Sequence, residues 1–275
     1  MEHFLQTCEW RLVDESNLQA RSPLASFAMD DTLCHLVGHK MTTPTIRTWV
    51  HKESVVLGIQ DHRLPFIEQG MNLLSEQGYT PIVRNSGGLA VVLDPGVLNI
   101  SLVISENEQP LSINSAFDMM VEFIKMLLPE IAEQIEAYEI VGSYCPGSYD
   151  LSIGGKKFAG ISQRRMQGGV AVQIYLCIEG SGSERAELIK QFYEKSLQDE
   201  ETKFQYPRIK PDVMASLQEL TGTNMTVVDT NLRIQQMLQQ KELDWVLAPL
   251  QPSENELYMH YLQRVLQRNQ SMLAK

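Results

Sequence analysis

One cysteine and one lysine, 12 positions apart, could carry out nucleophilic chemistry together. Cys145 lies in GSYCPGSY, a segment rich in Gly, Pro and Ser that can expose its sulfur to a substrate carbonyl. Lys157 lies in GGKKFAGI, within a mostly apolar run that predicts a partly buried strand. A thiol becomes a good nucleophile as the thiolate, which a nearby cation stabilises. The pair therefore predicts acyl transfer, with Cys145 as the nucleophile and Lys157 as its electrostatic partner.

Both residues also have a structural interpretation. An intracellular cysteine is more often a small buried side chain than a nucleophile, and Cys8, Cys34 and Cys177 are interpreted in that way. A lysine on a strand can instead lie at a sheet edge and block aggregation. From the residues alone, the two interpretations of Lys157 are about equally favoured.

A second motif, RNSGGLA at 84–90, provides backbone that can approach a ligand closely. Gly87 and Gly88 precede an apolar run, and glycines in this position can turn backbone N–H groups toward a ligand. The motif is not a phosphate-binding P-loop, because the sequence contains no GxxxxGK[ST]. A simple bend between two strands is the alternative interpretation.

Composition and charge exclude several classes of function. The chain has 275 residues, 43% of them hydrophobic, which is enough to bury a sizeable core. Its net charge of −11 argues against a nucleic-acid ligand. The longest apolar runs have the length of strands and are too short to cross a membrane. The four cysteines lie far apart without metal-ligand spacing, and the first residues lack the features of a secretory signal, so we expect a cytoplasmic protein with free thiols.

The hydropathy pattern predicts the elements that must position these motifs. Gly154-Gly155 predicts a two-residue hairpin turn that places Lys157 in the second arm of the hairpin. The run at 169–179 is apolar almost throughout and predicts a central strand. Helices are predicted at 22–38, within 58–79, at 113–138 with a bend or break at Pro129, at 184–197, at 230–240 and at 254–268. Strands are predicted at 45–50, 54–59, within 80–105 and within 139–180.

This order of elements predicts an α+β (α/β) fold with a mixed β-sheet flanked by helices. The character of the sequence changes after about residue 200, where it becomes charged and helical. We therefore expect a catalytic domain over residues 20–200 and a helical C-terminal extension over residues 201–275 packed on it. Asp229 and Ser253 are the predicted N-caps of the last two helices.

Three segments resemble the biotin/lipoate protein ligase and octanoyltransferase superfamily over roughly residues 20–200. RNSGGLAVVLDPGVLNISL resembles its glycine signature, and GKKFAGISQRR resembles its lysine motif, with Lys157 three residues before Gly160. SYCPGSYDLSI resembles the cysteine segment of the amidotransferases that move an octanoyl group from the glycine-cleavage H protein to other lipoyl domains. Ligases of the superfamily usually have a third glycine and a His-Asp pair, and this chain departs from that pattern with Leu89 and Leu93.

The resemblance implies a biotin/lipoate ligase-like catalytic domain with protein N-octanoyltransferase activity. Cys145 would carry the octanoyl group as a thioester, and Lys157 would lower the pKa of Cys145. Backbone donors near Gly87 and Gly88, or Lys157 itself, would stabilise the oxyanion. The donor would be octanoylated H protein and the acceptor a lipoyl domain of a 2-oxoacid dehydrogenase E2 subunit. One amide is exchanged for another, so neither ATP nor a metal nor another cofactor is implied. The substrate-binding residues implied by the motifs are Arg84, Ser86, Gly87, Gly88, Ala90, Asp94 and Gly160.

Two further expectations concern how substrates are held. The acyl chain needs an apolar slot, for which the predicted lining is Val83, Ala90, Val91 and Ala159. A basic cluster of Lys156, Lys157, Arg164 and Arg165 could attract acidic lipoyl domains. Three other functions stay open: octanoyl transfer from acyl-carrier protein, ATP-dependent lipoate ligation, and a binding module that has lost the chemistry.

Overall fold

A computed structural model describes residues 5, 8–17, 22–107 and 110–273 of the chain. The predicted domain boundary at residue 20 and the chain end at 275 lie outside these residues. The described part contains eleven strands: β1 (Trp10–Glu15), β2 (Thr45–Trp49), β3 (Ser54–Leu57), β4 (Thr80–Val83), β5 (Val91–Leu93), β6 (Val97–Ser105), β7 (Glu136–Ala137), β8 (Leu151–Ile153), β9 (Lys156–Met166), β10 (Gly169–Cys177) and β11 (Trp245–Leu247). It also contains seven α-helices: α1 (Pro23–Gly38), α2 (Ile67–Glu76), α3 (Ile113–Leu127), α4 (Gly182–Leu197), α5 (Leu217–Thr221), α6 (Val227–Gln240) and α7 (Asn255–Leu273).

The strands form two mixed sheets flanked by helices, which confirms the predicted α+β fold. The larger sheet has the order β11-β1-β2-β6-β10-β9-β8-β7, and the smaller has the order β4-β3-β5. Both contain parallel and antiparallel neighbours. All nine residues of β10 are buried, as its nearly continuous apolar sequence predicts for a central strand.

Two of the predicted turns and caps are confirmed. Ser22 caps α1 by accepting the N–H of Leu24, and Pro23 occupies the first helical position. Gly154 and Gly155 both have positive φ in the β8–β9 turn, so Lys157 lies in the second arm opposite Ser152. This hairpin carries Lys157 inward, where its side chain is fully buried.

The helix predicted at 113–138 is wrong in its second half. α3 ends at Leu127 because Pro129 disfavours helical geometry at the residue before it and has no N–H to donate. A short 3-10 helix at 132–134 and strand β7 follow. The shortened helix leaves residues 138–150 free to form the loop that contains Cys145.

The segment after residue 200 contains a strand as well as helices. β11 pairs in parallel with β1 and so forms one edge of the larger sheet. α6 begins after Thr226, which caps it, so the predicted cap at Asp229 is wrong. α7 packs on α1 and also reaches the smaller sheet, where Asn269 accepts the N–H of Val83 at 2.8 Å. The division of the chain at residue 200 stays a prediction.

Within the described residues, no helix combines the length and the apolar character needed to cross a membrane.

Candidate active site

Cys145 lies in the loop between β7 and β8. Its sulfur faces residues 84–90 (RNSGGLA), here called the Gly loop. Its φ of +45° is in the left-handed region, which residues other than glycine rarely adopt. The sulfur accepts the Leu89 N–H at 3.2 Å and an Arg84 Nη2–H at 3.4 Å. An amide dipole and a guanidinium therefore point at the atom that would act as nucleophile, and both favour negative charge on it.

Lys157 contacts the main chain of the same residue. Its Nζ donates to the carbonyl oxygens of Tyr144 and Cys145, each at 2.9 Å, and forms an ion pair with Asp150 at 2.8 Å. Ser143 Oγ lies 3.3 Å away. Among the described residues, no hydrogen bond joins Nζ to the Cys145 sulfur. The expected proximity is present, but the lysine contacts the main chain of Cys145.

Asp150 completes the lysine's surroundings and also lines the cavity at Cys145. It is 2% exposed and accepts the N–H groups of Ile140 and Gly147 in addition to the Lys157 ammonium. Burial raises the pKa of Asp150, and the Lys157 ammonium opposes that effect. The carboxylate therefore ties together both ends of the loop that holds the nucleophile.

The Gly loop is shaped to bring Arg84 beside the sulfur. Gly88 has φ +105°, and a Cβ placed there would lie 2.2 Å from Arg84 Nη2 and 3.0 Å from Cys145 Sγ. Arg84 Nη2 is also fixed by the carbonyl of Leu89 at 2.6 Å. Only glycine at position 88 leaves room for the guanidinium and the sulfur together.

A cavity of about 470 Å³ opens beside Cys145. Its wall is mostly apolar and combines residues of both sheets with the first turns of α3. Its principal apolar members are Phe27, Trp49, Val91, Ile113, Phe117 and Tyr175. The volume is within the usual range for small-molecule sites. Of the predicted lining residues only Val91 belongs to the wall; Val83, Ala90 and Ala159 are buried in the core instead.

Two amide side chains in the cavity wall are engaged within the protein. Gln173 donates to Asp30 at 2.6 Å and accepts the Ser162 hydroxyl at 3.3 Å. Asn99 donates to the carbonyl of Trp49 at 3.2 Å. Because these groups already have partners, an apolar chain can lie against them without leaving them unsatisfied.

The structure separates the predicted substrate-binding residues into two groups. Arg84, Gly87, Gly88 and Gly160 line the cavity together with Cys145. Ser86, Ala90 and Asp94 lie outside its wall.

Each of the outlying residues has a different environment. Asp94 forms an ion pair with Arg185 at 2.6 Å, at the start of α4. Ser86 is buried, and Ala90, the last residue of the Gly loop, is in the core.

Gly160, which does line the cavity, is a close-packing position, because a Cβ there would lie 2.7 Å from the Tyr175 ring.

Several members of the site were missed by sequence reasoning. Leu89 acts through its backbone N–H, which no side-chain pattern indicates. Phe117 and Ile113 were interpreted as parts of a long helix rather than as a cavity wall. Asp150 had a usable signal, since it follows Cys145 by five residues in the same turn-rich segment.

Within the described ranges, no group of three or more His, Cys, Asp or Glu side chains is arranged to hold a metal ion.

Solved structures of low sequence identity share the fold. Lipoate-protein ligase A bound with ATP superposes with a TM-score of 0.69 at 16% identity, over 94% of this chain and 95% of that chain. A putative lipoate protein ligase from T. acidophilum with bound lipoic acid gives a TM-score of 0.68 at 16% identity, over 93% and 95%. At this identity the likeness establishes the fold only.

Relatives of high identity extend over the whole chain. An octanoyl-[GcvH]:protein N-octanoyltransferase of Lysinibacillus sphaericus is 62% identical over 276 residues, covering 100% of this chain and 99% of the relative. A lipoyl-[GcvH]:protein N-lipoyltransferase of Listeria monocytogenes is 47% identical, covering 96% of each. The family model of the lipoyl protein ligase A/B catalytic domain matches residues 22–239. The chain therefore belongs to the lipoyl protein ligase A/B catalytic domain family.

Proposed function

We propose that this protein transfers an octanoyl group from the lysine of octanoylated glycine-cleavage H protein to the lysine of another lipoyl domain. The observation that carries the proposal is the position of the Cys145 sulfur. It lies at an apolar cavity and receives N–H groups from Leu89 and Arg84. The N-octanoyltransferase names of its full-length relatives support the same reaction class.

The cavity suits the acyl chain that this reaction requires. Burial of about seven methylene-type groups contributes about 5 kcal/mol to binding. Phe117 and Ile113 on α3 line the same cavity as Trp49 and Phe27, so much of its wall is apolar. The binding energy of the chain would place its carbonyl next to Cys145.

In the first half-reaction the Cys145 thiolate attacks the carbonyl carbon of the octanoyl-lysine amide. A carbon–sulfur bond forms, the carbon–nitrogen bond breaks, and the departing lysine nitrogen takes up a proton. The Leu89 N–H is adjacent to Gly88, in the part of the loop expected to donate to the oxyanion, and can turn from the sulfur to the carbonyl oxygen as charge moves there. The product is an octanoyl thioester on Cys145.

The second half-reaction reverses these steps with a new lysine. The acceptor amine attacks the thioester, loses a proton, and releases the thiolate. Lys157 and Asp150 form the titratable pair next to the Cys145 main chain, and we assign them to holding the loop and to proton transfer. One amide replaces another, so the donor bond itself supplies the free energy.

The acceptor we propose is the lipoyl domain of a 2-oxoacid dehydrogenase E2 subunit, and we propose that the protein acts in the cytoplasm with those complexes.

The experiment that tests the proposal looks for the acyl-enzyme. Octanoylated H protein is incubated with the enzyme, and the intact mass is measured before and after hydroxylamine treatment. We expect one octanoyl group on Cys145 that hydroxylamine removes, and transfer when an E2 lipoyl domain is added.

The control is Cys8→Ala, because Cys8 is half-buried like Cys145. Cys8→Ala should retain the adduct, whereas Cys145→Ala should lose both adduct and transfer. Transfer by Cys145→Ala would contradict the proposal. Transfer from octanoylated acyl-carrier protein alone, or from free acid with ATP, would instead support one of the two alternative activities.

A second acyl group is favoured by one finding. The Listeria relative carries the name of a lipoyl transferase at 47% identity. A lipoyl chain has the same eight-carbon backbone with two added sulfurs, and the cavity volume of about 470 Å³ leaves room for them. Competition between octanoylated and lipoylated H protein for Cys145 measures which group is preferred.

A further inference from the structure

A buried carboxylate, Asp61, lies directly behind the Gly loop. It occupies the short 3-10 helix at 61–63 between β3 and α2 and is 0% exposed. Its Oδ2 accepts the Gly58 N–H at 2.7 Å, and its Oδ1 accepts the Tyr193 hydroxyl at 2.7 Å. The backbone N–H of Ala90, at the end of the Gly loop, lies near the same carboxylate and acts to lower its pKa. Asp61 therefore joins the end of β3 to helix α4, beside the end of the Gly loop.

Two of these contacts flank the groups that reach the Cys145 sulfur. Ala90 directly follows Leu89, whose N–H donates to the sulfur. Gly58 packs under Gly88 so closely that a Cβ on Gly58 would lie 1.9 Å from the Gly88 carbonyl oxygen. Leu57, the residue before Gly58, holds the start of the Gly loop, because its carbonyl accepts the Arg84 N–H. The Gly loop is thus held by Leu57 at Arg84 and packs at Gly88 against Gly58, which Asp61 holds in place.

An acidic side chain in this place is unfavourable for folding. Burial raises the pKa of Asp61 to about 6, although hydrogen bonds from Tyr193 and Gly58 and the charge of Arg84 all act to lower it. Its other ionisable neighbours are the Tyr193 and Tyr206 side chains, and burial raises the pKa of both. Among the described residues Asp61 has no direct ion pair, so its carboxylate is held in this position by the hydrogen bonds from Gly58 and Tyr193.

We infer that Asp61 is a positioning residue for the acyl transfer. By accepting from Gly58 and Tyr193, it fixes Gly58, which packs against Gly88, and so sets the position of residues 84–90, in which the Leu89 N–H and Arg84 reach the sulfur. The role in turnover rests on the proposed function. The effect on the sulfur's surroundings does not, and it can be measured without any acyl donor.

Two substitutions of Asp61 test whether its hydrogen bonds, and not merely the space that its side chain fills, position the Gly loop. Asp61→Leu keeps the branched shape and the number of heavy atoms but is larger and removes every acceptor. Asp61→Asn keeps an oxygen for the backbone N–H groups, and the Tyr193 hydroxyl can rotate to accept from the new amide. The rate of Cys145 alkylation by iodoacetamide is measured for each, followed by octanoyl transfer.

We expect Asp61→Leu to slow alkylation and to lower kcat by about tenfold or more, with KM changed by less than about threefold, because the loss falls on the reacting atoms. Asp61→Asn should stay within about threefold of the wild type in both measurements. Far-UV circular dichroism and thermal unfolding are recorded alongside, at an assay temperature well below each midpoint.

The control is Asp14→Asn. Asp14 is another hydrogen-bonded carboxylate, on β1 and away from the Gly loop, and it accepts from Ser16, Thr48 and Asn231. The substitution should change neither rate. If Asp61→Leu does not fold, Tyr193→Phe removes one contact to the carboxylate, and we expect alkylation to slow by about two- to fourfold.

Three results would overturn the inference. The first is a rate of Cys145 alkylation in Asp61→Leu equal to that of the wild type. The others are a rate loss in Asp61→Asn, or in the control Asp14→Asn, as large as that in Asp61→Leu. The two levels of the hypothesis stay distinguishable. If alkylation responds to Asp61 as expected while the wild type transfers no octanoyl group, the proposed function is wrong and the positioning of the loop stands.

Discussion

The Lys157 ammonium contacts the carbonyl oxygen of Cys145 at 2.9 Å and leaves the sulfur to other donors. Its remaining N–H groups have acceptors at Tyr144 and Asp150, so all three are used. The main chain it fixes has φ +45° at Cys145, a conformation that costs about 1 kcal/mol or more. The main effect of the lysine in the resting enzyme is therefore to hold the nucleophile's loop in this conformation.

Lys157→Met should be strongly destabilising. It leaves the Asp150 carboxylate buried without its cation, and breaking a buried pair in this way typically costs about 3–5 kcal/mol. The double variant Lys157→Met, Asp150→Asn removes the unpaired charge and should regain most of the free energy of unfolding, measured in urea.

The double variant still lacks the donor to the Cys145 carbonyl. We expect its octanoyl transfer to stay below about 1% of the wild-type rate, although it is folded. A double variant that is both stable and fully active would show that neither the hydrogen bonds of Lys157 to the Cys145 loop nor its charge is needed.

Arg84→Met should weaken the reactivity of Cys145 directly. The substitution removes the guanidinium that lies 3.4 Å from the sulfur and keeps a long side chain in the same space. We expect iodoacetamide alkylation of Cys145 near neutral pH to slow by about tenfold, and Arg84→Lys to show a smaller loss. Arg233→Met, at an exposed ion pair with Glu130, is the control and should react like the wild type.

Gly88→Ala should inactivate the enzyme through a clash as well as through backbone strain. The new Cβ would meet Arg84 Nη2 at 2.2 Å and the Cys145 sulfur at 3.0 Å. Gly78→Ala is a matched control, because Gly78 also has positive φ, at +87°, but has open space around it. Both variants should lose about 1 kcal/mol of stability through backbone strain, Gly88→Ala should lose more because of the clash, and only Gly88→Ala should lose kcat. Equal kcat in the two variants would contradict the packing argument.

Local sequence signals were sufficient where the structure depends on neighbouring residues. Ser22 and Pro23 define the start of α1, and Gly154-Gly155 defines the hairpin that buries Lys157. The turn-rich segment around Cys145 correctly indicated a loop. These features depend on backbone conformations that particular residue types favour, so a single sequence contains the necessary information.

Contacts between distant segments could not be read in the same way. Asp94 resembles a motif residue, but its partner Arg185 lies 91 positions away, and this ion pair holds it outside the cavity. Val83 and Ala159 are apolar and near the motifs, yet they face the core because strand orientation depends on tertiary packing. Asp61 accepts one hydrogen bond from nearby Gly58, but its other donor, Tyr193, lies 132 positions away, and its place beside the Gly loop depends on that packing.

Salt should have little effect on the affinity for an acidic lipoyl domain. The predicted basic cluster is largely neutralised, because Lys157 is buried and Arg164 and Arg165 form ion pairs with Asp31 and Glu106. Long-range steering by that surface is therefore weak. We expect the KM for the acceptor to change by less than about threefold between about 0.05 and 0.3 M salt. A steep rise in KM would mean that another basic surface takes part in docking.

The buried carboxylate of Asp61 predicts a pH-dependent stability that one substitution should remove. Its pKa rises from 3.8 to about 6 on folding because of burial, so the folded protein binds this proton more tightly than the unfolded chain. Its contribution to stability is therefore fully present below about pH 4 and is lost as the pH rises through 6.

Charging the Asp61 carboxyl in the folded protein costs about 3 kcal/mol at pH 8. Asp61→Asn cannot titrate, so the free energy of unfolding of the variant relative to the wild type should increase by about this amount between pH 4 and pH 8. Urea unfolding of both proteins at several pH values isolates the effect, since all other titrating groups are shared. A constant difference across this range would mean that Asp61 keeps an ordinary pKa in the folded protein, and that its carboxylate carries no energetic cost.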